Sequence, residues 1–223
     1  SPTMSARTIQ VDDQLHDWLL EHSLRDTEAH RTLREHNLGL EDGGMQTSPE
    51  QSQFLAFLAR SIGTTRAIEV GVYTGASAMA VAHALPHDGR LVACDISDEH
   101  LQTAMATWKA AGVDVRIESR IGPAVDTLTA MLDEPEAGHY DFMYVDADKE
   151  NSLNYYELGL KLLRTGGIIC IDNMFRGGDV TDASCNDEST VATRKLARFL
   201  LTDERVDYSL VPIGDGLALM RIR

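Results

Sequence analysis

Two stretches of this chain hold the residues best suited to chemistry. Tyr140-Asp-Phe-Met-Tyr-Val-Asp-Ala-Asp-Lys149 and Ile168-Ile-Cys-Ile-Asp-Asn173 are short apolar runs that stop at carboxylates. Flanked by helical patterns, such runs read as buried parallel strands whose acids emerge at the C-terminal ends. In open α/β sheets, ligands bind in the crevice beyond those ends. Asp146, Asp148, Asp172 and Asn173 should therefore crowd one rim, with Lys149 beside them. Hard oxygen donors converging on one point suit a divalent cation such as Mg²⁺ or Ca²⁺. Asp148 reads first as a cap for the helix that follows it. Asp172-Asn173, without Asp146, would read as an Asx-turn.

A second constellation lies upstream, in Glu69-Val-Gly-Val-Tyr-Thr-Gly-Ala-Ser77. It falls between a strand and a helix, where a nucleotide-binding α/β fold places its glycine-rich turn. Gly71 would let a ligand approach the backbone, and Gly75 would permit a tight turn into the helix. Tyr73 stands where a dinucleotide fold has the glycine that admits a pyrophosphate, which argues against NAD or FAD. Asp95, at the end of the next strand, is placed to accept hydrogen bonds from a ribose diol. Glu69 lies inside an apolar strand, and a buried carboxylate there needs a partner.

For these residues to meet, the chain must form a doubly wound sheet. Strands are predicted at 66–71, 90–95, 113–118, from Tyr140 and from Gly167. They alternate with helices at 76–84, 98–111, from Pro123, and at 152–163. That order predicts right-handed crossovers and an α/β, Rossmann-like, mostly parallel sheet. Ahead of it, 11–37 reads as one or two amphipathic helices, 38–47 as a glycine-rich loop, and Ser48-Pro49 as the start of another helix. Behind it come a polar, mobile loop at 174–187, a helix at 190–201, and an antiparallel hairpin of 206–212 with 217–222. One domain over residues 1–223 is expected, with residues 1–47 forming N-terminal helices and a lid. His16, His22, His30 and His36 read as solvated faces, and Trp18 and Trp108 as packing residues.

Lys and Arg number 20 against 35 Asp and Glu, a formal net charge of −15. Such a surface repels phosphate backbones and anionic lipid, so nucleic-acid and membrane partners are disfavoured. The three cysteines have no metal-type spacing and suggest a reducing compartment. With no signal-peptide pattern or bilayer-length apolar run, a cytoplasmic protein is expected.

From residue 38 onward the chain resembles the cation-dependent O-methyltransferases that use S-adenosylmethionine, the caffeoyl-CoA and catechol O-methyltransferase group. The resemblance is carried by Met45-Gln-Thr-Ser-Pro-Glu50, Glu69 to Ser77, Cys94-Asp95, Gly122-Pro-Ala124, Tyr140 to Asn154, Gly166 to Asn173 and Pro212-Ile-Gly-Asp-Gly216. It implies that Glu69, Gly71, Tyr73 and Ser77 hold the methionine end of the cofactor and that Asp95 binds its ribose. Ala124 would line the adenine pocket, Met45 and Thr47 would close over the cofactor, and Asp146 would border it. Asp146, Asp172 and Asn173 match the metal ligands, and Lys149 a lysine near the acceptor hydroxyl. Mg²⁺ is the expected ion, with Ca²⁺ or Mn²⁺ as alternatives. The resemblance also implies a homodimer and a small catechol-type acceptor. A neutral phenol is a poor nucleophile, ionising near pH 10, so a chelated cation would activate and orient it. Lys149 would take the proton or stabilise the phenolate. The acidic loop after Asn173 disfavours a CoA thioester, whose phosphates would meet like charge.

Overall fold

Five parallel strands form the body of the sheet: β1 (Arg66–Val70), β2 (Arg90–Asp95), β3 (Ile117–Ile121), β4 (Tyr140–Val145) and β5 (Leu163–Ile171). The computed structural model describes residues 6–223, so the first five residues of the expected lid segment lie outside it. Two further strands, β6 (Val206–Val211) and β7 (Leu217–Ile222), complete a seven-stranded sheet in the order β3-β2-β1-β4-β5-β7-β6. β7 runs antiparallel to both β5 and β6, giving the expected C-terminal hairpin.

Helices cover both faces, which is why the central strands read as nearly unbroken apolar runs; every residue of β4 is buried. Alternate strand residues serve opposite layers. Ile68, Val70, Met143, Val145, Ile169 and Ile171 pack under α6 (Ala124–Met131), α7 (Ser152–Leu162) and α8 (Glu188–Thr202). Ala67, Leu91, Phe142, Tyr144 and Cys170 face the other layer. That layer is built from α3 (Pro49–Ser61), α4 (Ala76–Ala84) and α5 (Leu101–Ala110). Outside it lie α1 (Asp13–Ser23) and α2 (Glu28–Leu38), whose Leu33 reaches the same core.

Several local expectations change. β3 begins at Ile117, not Val113, because a helix C-cap claims the earlier residues. The Gly112 N–H donates to Lys109 O and the Val113 N–H to Trp108 O, each at 3.0 Å, a Schellman arrangement that closes α5. A single 3-10 turn over Asp114–Arg116 follows before the chain enters the sheet. α8 starts earlier than expected, capped by Asp187, which accepts from the Thr190 N–H. The loop expected to be mobile is tied down by Arg194, which donates to the carbonyls of Asp179, Val180, Asp182 and Cys185. His16 remains solvated, with its side chain 40% exposed, and also reaches Glu50 at 2.8 Å, joining α1 to α3. His30 packs near His83, and burial lowers its pKa. Trp18 stays exposed and stacks on His22, whereas Trp108 is buried.

Candidate active site

The strand order reverses between β1 and β4, so a crevice opens at their C-terminal ends. Register brings the key residues level. Val70 pairs with Val145, and Val145 with Ile171, so Gly71, Asp146 and Asp172 leave the sheet side by side. The Asp146 N–H donates to Val70 O at 2.8 Å and the Asp172 N–H to Val145 O at 3.0 Å, which extends the ladder to the rim.

Gly71 is left-handed, with φ of 86°, and a Cβ there would lie 1.8 Å from the carbonyl oxygen of Asp146. Its missing side chain therefore lets the turn after β1 lie directly against the Asp146 backbone just beyond β4. Gly75, at φ of 91°, makes the expected tight turn into α4. Its carbonyl accepts from Trp108 Nε1 at 3.0 Å, and a Cβ would collide with that ring.

On the turn side of the crevice, Asp95 organises the loop above it. Its Oδ2 accepts from the Val72 and Tyr73 N–H groups at 3.0 and 3.2 Å, and its Oδ1 from the Ser97 N–H at 3.2 Å. Tyr73, at a positive φ of 54°, donates its hydroxyl to Asp42 Oδ1 at 2.8 Å, in the segment between α2 and α3. His100 Nε2 pairs with Asp42 Oδ2 at 3.1 Å, and its ring meets that of Tyr73 edge-on. The Tyr73 side chain thus fastens the overlying loop to the turn. Asn37 adds a second fastening, donating to Gln46 Oε1 and Thr74 Oγ1.

Glu69 lies beneath the crevice wall and does not line it. Ser77 Oγ donates to its Oε1, while its buried Oε2 has no partner. Burial, reinforced by Asp146 and Asp95, pushes its pKa up to about 8 despite the Ser77 bond. Ser77, Ala124, Met45 and Thr47 all line the crevice. Met45 is exposed, at the end of a 3-10 turn over Gly43–Met45.

The acidic side has a different character. Asp172 is buried, and three donors engage it: the Asn173 N–H at 2.6 Å on Oδ1, and Tyr144 Oη at 2.7 Å and Gln51 Nε2 at 2.9 Å on Oδ2. A carboxylate has about four lone-pair sites, so Oδ1 keeps room for one more partner. Asp146 receives only Lys149 Nζ, at 3.4 Å. Burial and then the Asp172 charge push the Asp146 pKa up to about 6, against the opposing pull of Lys149. Asn173, at a φ of 61°, donates its Nδ2 to Asp215 Oδ2 at 3.3 Å, leaving its side-chain oxygen free. Asp148 does not cap a helix with its side chain. It accepts from Asn151 Nδ2 and Tyr155 Oη, both at 2.5 Å, away from the other acids' hydrogen bonds.

Among the described residues, no three His, Cys, Asp or Glu side chains form a metal-type group. Any ion here must draw on the Asn173 amide as well as the two carboxylates. The donors nevertheless fit a hard cation: all are oxygens, two are acids that raise each other's energy, and each is steadied from outside. Tyr144 and Gln51 hold Asp172, Asp215 holds Asn173, and Lys149 holds Asp146, the outer support that metal ligands characteristically have.

These residues share one cleft of about 950 Å³, bordered by Met45, Thr47, Gly71, Tyr73, Ser77, Asp95, Ala124, Asp146, Lys149, Asp172 and Asn173. Of the candidate site residues, only Glu69 stands back from it. Gln51, Tyr144 and Asp215 were missed as site residues. Tyr144 carried one usable signal, a phenol within a buried strand that must find a partner. Asp215 lies in the Pro212–Gly216 stretch that carries the resemblance, but nothing there pointed to Asn173, and Gln51 carried no signal because its partner is distant in sequence.

A model of the O-methyltransferase family matches residues 20–223. A probable caffeoyl-CoA O-methyltransferase 2 of Dictyostelium discoideum is 39% identical over 222 residues, covering 99% of this chain and 96% of that protein. A mouse catechol O-methyltransferase domain-containing protein 1 is 40% identical over 93% of this chain and 79% of its own length. The O-methyltransferase TomG of Streptomyces achromogenes, solved with SAM, superposes with a TM-score of 0.84 at 28% identity, over 94% of this chain and 96% of that one. With that breadth of match in sequence and fold, the chain belongs to the O-methyltransferase family and is an S-adenosylmethionine-dependent O-methyltransferase.

Proposed function

We propose that this enzyme transfers a methyl group from S-adenosylmethionine to a phenolic hydroxyl of a small catechol-type acceptor, with the help of a divalent cation. The observation that carries this reading is the level pair Asp146 and Asp172 on adjacent strands, with Asn173 and Lys149 beside them. Asp146, Asp172 and Asn173 would hold the cation, Mg²⁺ foremost and Ca²⁺ or Mn²⁺ as alternatives. When bound, such an ion lowers the energy of a phenolate and fixes the direction of a chelated catechol.

The chain's own residues do the rest. Ser77 on the cleft wall, with Glu69 behind it accepting from the Ser77 hydroxyl, holds the methionine end of the cofactor. Asp95 receives the ribose, Ala124 borders the adenine, and Met45 and Thr47 close from above, within residues 1–47 read as a lid. Gly71 and Tyr73 shape the turn between them. Lys149, only 10% exposed, carries or receives the acceptor's proton at Nζ. Holding acceptor oxygen and methyl carbon in line supplies much of the remaining rate. Among the described residues no helix is long and apolar enough to cross a membrane. A homodimer in the cytoplasm, with neither nucleic acid nor membrane as partner, completes the proposal.

The names of the relatives favour a second acceptor, a caffeoyl-CoA-like thioester. Against it stand Asp179, Asp182, Asp187 and Glu188 in the segment after Asn173. The deciding assay offers 3,4-dihydroxybenzoate, caffeate and caffeoyl-CoA with S-adenosylmethionine, first with EDTA and then with added Mg²⁺. Methylation of the free catechols that vanishes with EDTA and returns with Mg²⁺ is expected. Turnover unaffected by chelation would refute the cation's role, and turnover of the thioester alone would replace the acceptor.

A further inference from the structure

Arg176 lines the same cleft, and none of the roles above uses it. Its backbone is left-handed at φ of 50°, rare for a residue with a side chain. The C-terminal hairpin holds that conformation in place. Asp215 accepts from the Gly177 N–H with Oδ1 and from the Phe175 N–H with its backbone carbonyl, each at 2.8 Å. The side chain is 29% exposed, yet its Nε is buried without a hydrogen-bond partner.

The acids around it are already engaged. Asp187 lies 4.0 Å away, outside hydrogen-bond distance, and caps α8 through the Thr190 N–H. Glu150, whose carboxylate also feels this guanidinium, accepts from Ser189 Oγ at 2.6 Å. Lys149 is the other Lys or Arg on the cleft wall, and it is committed to Asp146. Arg176 is therefore the cleft cation with donors to spare among the described residues.

We propose that Arg176 recognises a carboxylate on the acceptor, so that the preferred substrates are catechols bearing an acid group. This rests on the reading of the cleft as a methyltransferase site for catechols. A guanidinium presents paired N–H donors that match a carboxylate in a two-bond geometry. Asp146, Asp148, Asp172 and Asp215 also line the cleft, so an anionic acceptor needs a compensating cation at its far end. One arginine amid acids suits a single negative charge and not a cluster of phosphates.

The test compares kcat/KM for 3,4-dihydroxybenzoate and its methyl ester, with S-adenosylmethionine and Mg²⁺, in the parent enzyme and in Arg176→Gln, Arg176→Lys and Asp187→Asn. Calorimetric binding of S-adenosylhomocysteine checks that each variant is folded. The parent enzyme should favour the acid at least tenfold, chiefly through KM. Arg176→Gln should cost the acid at least ten times more than the ester, and Arg176→Lys should restore part of the difference. Asp187→Asn keeps the α8 cap but removes a competing charge, and should widen the preference a few-fold. Catechols methylated with equal acid and ester efficiency, or an acid preference untouched in Arg176→Gln, would overturn this proposal alone. Methylation of no catechol at all would overturn the underlying reading and this proposal with it.

Discussion

The two sides of the cleft handle negative charge in opposite ways. On the turn side, Asp95 spends its oxygens on three backbone N–H groups and Asp42 is bound by Tyr73 and His100, so the acids there build the wall. On the strand-end side, Asp146 faces Asp172 with a single long contact to Lys149, and burial and then the Asp172 charge raise its pKa. The first arrangement draws most of its donors from the chain, leaving Asp95 about one lone-pair site for a ligand hydroxyl. The second is electrostatically unfinished, and a cation is the simplest group to finish it. Asp95, Asp146 and Asp172 all sit at strand ends; the number of donors each one finds makes the difference.

Removing an unfinished acid should have the largest effect. Asp146→Ala is expected to lower methyl transfer roughly a thousandfold, or ~4 kcal/mol of barrier. Calorimetry should show S-adenosylhomocysteine still bound within a few-fold of the parent. Comparable losses of binding and of turnover would erase the contrast between the two sides.

Tyr144→Phe is milder, because it leaves both carboxylates but removes a donor from Asp172. Outer-sphere changes of this kind cost about ten- to a hundredfold in metal affinity. The Mg²⁺ concentration for half-maximal activity should rise accordingly, and an unshifted metal titration would show that Asp172 needs no such support.

The smallest change probes Glu69, the acid on the turn side whose buried Oε2 has no partner. Its folded pKa of about 8 lies above the ordinary carboxylate value, so the folded state holds a proton that the unfolded chain releases. Folding stability should therefore be retained below the unfolded pKa and decline as pH rises from about 4.5 to about 8. The slope is at most about 1.4 kcal/mol per pH unit. Glu69→Gln cannot lose that proton. Without cofactor, its melting temperature should gain on the parent's progressively from pH 5 to pH 8, while its affinity for S-adenosylmethionine falls about tenfold. A pH-independent difference in melting temperature would mean that Glu69 is charged in the free enzyme.

Much of this was open to inspection before any coordinates. Apolar runs ending in acids marked β4 and β5, the Glu69–Ser77 stretch marked the first turn, and the alternation of strand and helix implied the doubly wound sheet. Local signals were missed where two motifs overlapped, as at Gly112-Val113, where a helix cap looked like the beginning of a strand. Gly71 was singled out for a ligand's approach, whereas the contact its missing side chain permits within the chain is with the Asp146 backbone, just past β4 and 75 residues away.

Sequence alone determined which residues could do chemistry here, because residue type, strand-end position and periodicity are local properties. Only the tertiary structure decided how those residues are completed. The sheet order sets β4 between β1 and β5, which makes Asp146 and Asp172 neighbours. Gln51 comes to Asp172 from 121 residues away, and Asp215 to Asn173 from 42 residues beyond it. Hydrogen-bond partners of buried acids are chosen by packing across such distances, and no periodicity in the chain encodes them.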